Sequence, residues 1–304
     1  MMTEKDRYPA GFAGAVTAAS AVVGPIFPPS IPMVFYALIS STSVGALFLG
    51  GMVPALLICI ALGILVVIQA KLRGFPVEAA IPLRAYPRIV IRALPPLLMP
   101  ALLLGGIYSG AFTPTEAAAV SAFYALLLAV FGYRTLGLRA FFEVVASTAR
   151  TTAVVTIILG GAFIFNYVVT VEQLPQEIFQ LFGSLDLSAA QFLLVINILY
   201  LLLGCFLEVS TIMLVITPLF IPTAAALGID LVHFGVVLVF NMMIGLITPP
   251  YGVLLFIIKA LNGVPLGAMI REIWPFVLVL VALLMLITYV PALVLWVPHM
   301  ANLG

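Results

Sequence analysis

Two stretches of this sequence combine backbone breakers with neutral oxygen donors at the same spacing. Ser20-x3-Gly24-Pro25-Ile26-Phe27-Pro28-Pro29 matches Asn241-x3-Gly245-Leu246-Ile247-Thr248-Pro249-Pro250, and Gly14 and Gly235 fall into the same register. Proline lacks a backbone donor and clashes with the preceding turn, so a glycine followed by paired prolines unwinds a helix. The freed carbonyls are costly in apolar surroundings unless something meets them. With the side chains of Ser20, Ser30, Asn241 and Thr248 they offer hard oxygen donors suited to an alkali cation. Taken singly, each side chain is as readily a helix–helix hydrogen bond.

A third group is acidic. Glu208-Val209-Ser210-Thr211 interrupts the apolar block 188–226 near its middle. An acid at membrane depth points to function, whereas an acid at a helix start also fits the amide ends there. Both readings stand for Glu208, with Ser210 and Thr211 as candidate caps of a following helix. In Thr113-Pro114-Thr115-Glu116 the capping reading is the better one.

Other chemistries find little support. The two cysteines, Cys59 and Cys205, lie in apolar runs without partners at metal-ligand spacing and read as packing residues. No His-Glu-x-x-His, Gly-x-Ser-x-Gly or Gly-x4-Gly-Lys-Ser/Thr occurs, which argues against a zinc hydrolase, a serine hydrolase and an ATP-driven motor. A net charge of +1 gives no basic face for nucleic acid. The polar segment 1–9 runs into a long apolar stretch without a cleavage pattern, unlike a signal peptide.

The elements that must position these residues are membrane helices. Of the 304 residues 64% are hydrophobic and 8% charged, more apolar surface than a soluble domain can hide. Mean hydropathy is +1.32. Candidate spans lie at about 13–39, 46–70, 95–110, 114–132, 150–170, 231–258 and 273–297. Each half of 188–226 is short for a crossing, so the block is either a re-entrant hairpin or two short spans. With the N-terminus inside, Lys5, Arg7, Lys71, Arg73, Arg84, Arg88, Arg92, Arg134, Arg139, Arg150, Lys259 and Arg271 all fall on the cytoplasmic side. The connectors 71–94 and 136–149 read equally as interfacial helices or as solvated links.

In this threading four crossings separate the two breaks, so they cross in opposite directions as an inverted repeat. Matched Gly/Pro interruptions in inverted halves point to a secondary transporter's midplane site. The expected fold is therefore an all-α integral membrane protein with about seven spanning helices, two of them broken, plus one re-entrant hairpin. Its organisation would be one membrane domain: a broken helix at 8–45, spans and connectors at 46–149, a span and outer loop at 150–187, the hairpin at 188–226, a second broken helix at 228–261 and a final span at 272–298.

At these residues the sequence resembles the large membrane subunit of the tripartite ATP-independent periplasmic (TRAP) transporters. The matching stretches are Ala18-Ala19-Ser20, Gly24-Pro25-Ile26-x-Pro28-Pro29-Ser30-Ile31-Pro32, Gly105-Gly106-Ile107-Tyr108-Ser109-Gly110-x-Phe112-Thr113-Pro114-Thr115-Glu116-Ala117-Ala118-Ala119 and Ala149-Arg150-Thr151-Thr152-Ala153. They continue with Gly228-Ile229-Asp230-x2-His233-Phe234-Gly235 and Gly245-Leu246-Ile247-Thr248-Pro249-Pro250. The resemblance implies an elevator-type carrier of the bacterial inner membrane, driven by a Na⁺ gradient and without other cofactors. It further implies a small four-helix membrane subunit and a periplasmic solute-binding protein that delivers an organic acid such as a C4-dicarboxylate or sialic acid. Ser20, Gly24, Pro25 and Ser30 would then belong to one ion-binding break and Asn241, Gly245, Thr248 and Pro249 to the other. Glu208, Ser210 and Thr211 would form the substrate-side tip of the second hairpin. In the family pattern a first hairpin precedes residue 8, so the alternative expectation is a truncated, non-transporting assembly or scaffold fragment.

Overall fold

A computed structural model describes residues 8–75, 82, 84, 86–184 and 187–301. Among them there is helix and no strand. Among the described residues six helical stretches are long and apolar enough to cross a membrane: Val44–Leu72, Ile89–Tyr108, Pro114–Gly132, Leu138–Val171, Ala189–Phe206 and Leu266–Tyr289. The protein is an all-α integral membrane protein. It divides into two compact units, Met1–Glu78 with Ile164–Gly304, and Ala79–Phe163.

The first unit holds both breaks. α1 (Ala10–Ala21) gives way to a turn before α2 (Ile31–Ser40), and α11 (Leu231–Gly245) to another before α12 (Val253–Asn262). At the first break Val22 and Val23 donate to the Ala19 and Ser20 carbonyls; at the second Leu246, Ile247 and Thr248 donate to Met242, Ile244 and Gly245. Both breaks carry a cis Pro–Pro bond, Pro28–Pro29 and Pro249–Pro250. α3 (Val44–Leu72) follows the first broken helix, as α13 (Leu266–Tyr289) follows the second. α11 is apolar all round and therefore takes the centre, with every residue from Val232 to Gly245 buried. α8 (Ala189–Phe206), α13, α3 and α2 pack around it.

Contacts at the two ends of the unit fix how its helices run. At one end Arg73, just past α3, pairs with Glu272 of α13 at 2.7 Å and lies 5.4 Å from the Phe12 ring of α1. Phe75 packs on Tyr8 and Phe12 there. At the other end the Tyr36 hydroxyl of α2 donates to the Leu231 carbonyl at 2.7 Å, and the Tyr289 hydroxyl of α13 donates to Ala190 at 3.3 Å. The starts of α1 and α13 thus share a face with the end of α3, as the charge-based threading requires.

Several boundaries differ from the sequence reading. The cationic segment before residue 95 is not separate from the span: α4 runs continuously over Tyr86–Tyr108. Likewise α6 (Leu138–Val171) joins the connector at 136–149 to the span at 150–170, because no Gly or Pro between Leu138 and Leu159 interrupts it. The segment after it, expected as an outer loop, contains a helix, α7 (Leu174–Ser184). The final span ends at Tyr289 rather than 298, since Pro291 cannot continue it, and α14 (Ala292–Met300) packs on α3.

The block 188–226 is a hairpin with unequal arms. The first is α8; the second is segmented into α9 (Val209–Thr211), a π-turn over Ile212–Ile216, a 3₁₀ turn over Thr217–Leu219 and α10 (Ile221–Ala226). Pro218 and Pro222 remove donors that a continuous helix would need. In the second unit α5 (Pro114–Leu127) packs on α4, where the Tyr124 hydroxyl donates to the Pro95 carbonyl at 3.0 Å.

Candidate ion and solute site

The two halves of each break meet end to end. α1 and α11 present carbonyl ends, while α2 and α12 begin with amide ends, so each break sets partial charges of opposite sign side by side. Ser30 caps α2, accepting from the Met33 amide at 3.3 Å and donating its hydroxyl hydrogen to the Pro25 carbonyl. It is buried, so Ser30 closes the first break onto itself. At the second break the Thr248 hydroxyl donates to the Ile244 carbonyl at 2.7 Å. A hydroxyl that has given its hydrogen away keeps oxygen lone pairs, which is the state that suits a cation.

Ser20 and Asn241 occupy equivalent positions in very different surroundings. Ser20 is exposed and donates to the Thr17 carbonyl at 3.0 Å. Asn241 is fully buried. Its amide nitrogen reaches the Asn197 carbonyl at 2.8 Å and the Asn197 Oδ1 at 2.9 Å, across to α8. Its own Oδ1 has no hydrogen-bond partner. Gly24 is exposed and Pro25 half-buried, whereas Gly245 is buried and Pro249 half-buried.

Gly245 is where the hairpin reaches the break. A Cβ on Gly245 would lie 2.6 Å from the Gly204 carbonyl carbon, so the two backbones touch. Another glycine does the same for the first break: a Cβ on Gly51 would run into the Ile26 carbonyl oxygen. The hairpin tip lies just beyond Gly204, and the second hairpin arm packs on α2. α11, α8 and α2 thereby bring the second break, the tip and the downstream half of the first break into one body.

At the tip, Glu208 itself is the cap of α9. Its carboxylate accepts from the Thr211 amide at 3.2 Å and from the Ser210 hydroxyl at 2.8 Å. Ser210 and Thr211 are therefore not the caps, contrary to the sequence expectation; they are the donors that Glu208 gathers. Glu116 behaves as expected, in a reciprocal capping box with Thr113.

Sequence reasoning passed over three polar residues that the fold makes important. Asn197 and Thr288 join the Asn241 amide in one buried chain, with the Asn197 Nδ2 donating to the Thr288 Oγ1 at 2.9 Å. Asn166 of α6 donates to the Leu214 carbonyl at 2.9 Å, meeting an oxygen within the π-turn. The available signal was a lone amide in an otherwise apolar run, as at Asn197. The histidine expected near an outer loop, His233, is buried against the Ile287 carbonyl at 3.0 Å. Among the described residues no group of three His, Cys, Asp or Glu side chains could hold a metal ion.

Residues 1–293 match the family model described as the tripartite ATP-independent periplasmic transporter, DctM component. The chain is 41% identical over 294 residues to the sialic acid TRAP transporter large permease protein SiaM of Vibrio cholerae, covering 97% of this chain and 69% of that one. It is 43% identical over 295 residues to the C4-dicarboxylate TRAP transporter large permease protein DctM of Pseudomonas aeruginosa, with the same two shares, 97% and 69%.

The chain belongs to the DctM family.

The isethionate TRAP transporter permease protein DctMQ of Oleidesulfovibrio alaskensis is 37% identical over 93% of this chain and 45% of its own length. A DctM-family chain is a permease component of a secondary transporter and not an enzyme, and it is a multi-pass protein of the inner membrane.

Proposed function

We propose that this DctM-family chain couples the entry of Na⁺ to the uptake of a small organic acid. The observation that carries the reading is the buried second break: Asn241, in the last turns of α11 before it, leaves its Oδ1 unpartnered, and the Thr248 hydroxyl within it donates to the Ile244 carbonyl. A buried acceptor with no donor costs about 1–3 kcal/mol, and a bound alkali cation would remove that cost. Ser20, Gly24, Pro25 and Ser30 would supply the corresponding donors at the first break, and Asn241, Gly245, Thr248 and Pro249 those at the second.

The named relatives handle sialic acid, a C4-dicarboxylate and isethionate, each a small acid anion. The amide ends of α2 and α12 at the breaks would favour such an anion without any arginine in the site. In this reading the unit holding both breaks is the carrier in an elevator movement. A small membrane subunit and a periplasmic binding protein would complete the tripartite system.

The reading is tested by uptake in cells that produce the chain with its system partners, using labelled C4-dicarboxylate, sialic acid and isethionate in Na⁺ or K⁺ medium. Uptake of one of these acids in Na⁺ and not in K⁺ is expected. Uptake of equal size in both media would remove Na⁺ from the account.

A further inference from the structure

The buried chain Thr288–Asn197–Asn241 has a direction that its chemistry fixes. The Thr288 hydroxyl donates to the Leu284 carbonyl at 2.7 Å in its own helix, so toward Asn197 it can only accept. Asn197 must turn its NH₂ to Thr288, at 2.9 Å, and this points its Oδ1 toward Asn241. The Asn197 backbone carbonyl faces Asn241 as well, and a carbonyl can only accept. Asn241 is therefore obliged to turn its NH₂ toward α8, and its Oδ1 is left outside the chain of bonds with no partner. All three residues are buried, Asn241 at 0%, Thr288 at 1% and Asn197 at 2% exposure, so water does not reset this order.

The geometry points to Asn197 and Thr288 as positioning residues that hold the Asn241 amide oxygen as a ligand for the coupling cation. Each acts through Asn241, Asn197 directly and Thr288 by way of Asn197. The inference rests on the Na⁺ reading above and extends it to α8 and α13. The relay also ties cation binding to the hairpin, because a cation on Oδ1 polarises the amide and strengthens both N–H donors that hold α8. Removing the Thr288 oxygen frees the Asn197 amide to rotate, while the Asn197 backbone carbonyl keeps one of the two restraints on Asn241. The expected loss is about that of one net hydrogen bond, roughly fivefold in cation affinity.

The test is the Na⁺ concentration at half-maximal thermal stabilisation of the purified protein, measured without solute for the parent, Thr288→Val and Thr288→Ser. Val matches Thr in shape and lacks the acceptor, whereas Ser restores it. The expected result is a midpoint raised about fivefold in Thr288→Val and close to the parent in Thr288→Ser, with K⁺ ineffective throughout. Thr288→Ala, judged in the same way, covers the case in which Val prevents folding. A variant that melts earlier but keeps the parental Na⁺ midpoint overturns the relay and leaves the cation reading intact. A parent whose melting does not respond to Na⁺ overturns both.

Discussion

Gly204 of the hairpin and Gly245 of the broken helix are in backbone contact, and the contact is lopsided. A Cβ on Gly245 would come within 2.6 Å of the Gly204 carbonyl carbon, whereas one on Gly204 would sit 3.3 Å from the Gly245 Cα. Overpacking of this kind costs about 1–3 kcal/mol. Gly245→Ala is therefore expected to lower the melting temperature of the purified protein clearly more than Gly204→Ala. Equal melting of the two variants would mean that the hairpin does not close on the break in this way.

The capping geometry at the tip separates a structural from a chemical role for Glu208. An asparagine there can still cap α9, so Glu208→Asn should keep most of the uptake, while Glu208→Ala should lose about 1 kcal/mol of stability. If folded Glu208→Asn were inactive, the carboxylate would be needed for more than the cap.

The hydroxyl of Thr248 and the amide of Asn241 are expected to act on the Na⁺ requirement rather than on insertion. Thr248→Ala and Asn241→Ala should each raise the Na⁺ concentration for half-maximal uptake by roughly tenfold or more, since a hydrogen bond or ligand to a charge contributes about 1.5–3 kcal/mol. Parental Na⁺ dependence in both variants would take these side chains out of the site.

The breaks were legible in the sequence because Gly/Pro punctuation acts locally, although α1 ends one residue after Ser20 while α11 runs four residues beyond Asn241. The spans were legible from hydropathy, apart from boundaries such as Tyr289, where a single proline set the end. What the sequence did not disclose was tertiary. Asn197 and Thr288 are 91 residues apart and meet only because α8 and α13 both pack on α11. Nor did local pattern distinguish Ser20, exposed with an intrahelical bond, from Asn241, buried with bonds to another helix. Glu208 had two readings, and the bonds from Thr211 and Ser210 show that it caps α9, which the sequence alone did not establish.

Orientation is open to direct labelling. The Arg73–Glu272 pair and the Tyr289–Ala190 bond lie at opposite ends of α13, and the Lys/Arg distribution predicts that the Arg73 end is inside. In a background with Cys59 and Cys205 replaced, cysteines at Leu187 and Val290 should react with an impermeant thiol reagent added from the periplasm. Those at Arg84 and Arg139 should not. Reversed labelling would invert the threading.

The central claim is that the breaks convert a Na⁺ gradient into solute movement. The most direct measurement is accumulation of the labelled acid in proteoliposomes that contain the assembled system, with the binding protein outside and no nucleotide present. An inward Na⁺ gradient should drive accumulation above equilibrium, and dissipating that gradient should abolish it. Accumulation that persists with Na⁺ equal on both sides and no membrane potential would contradict the account.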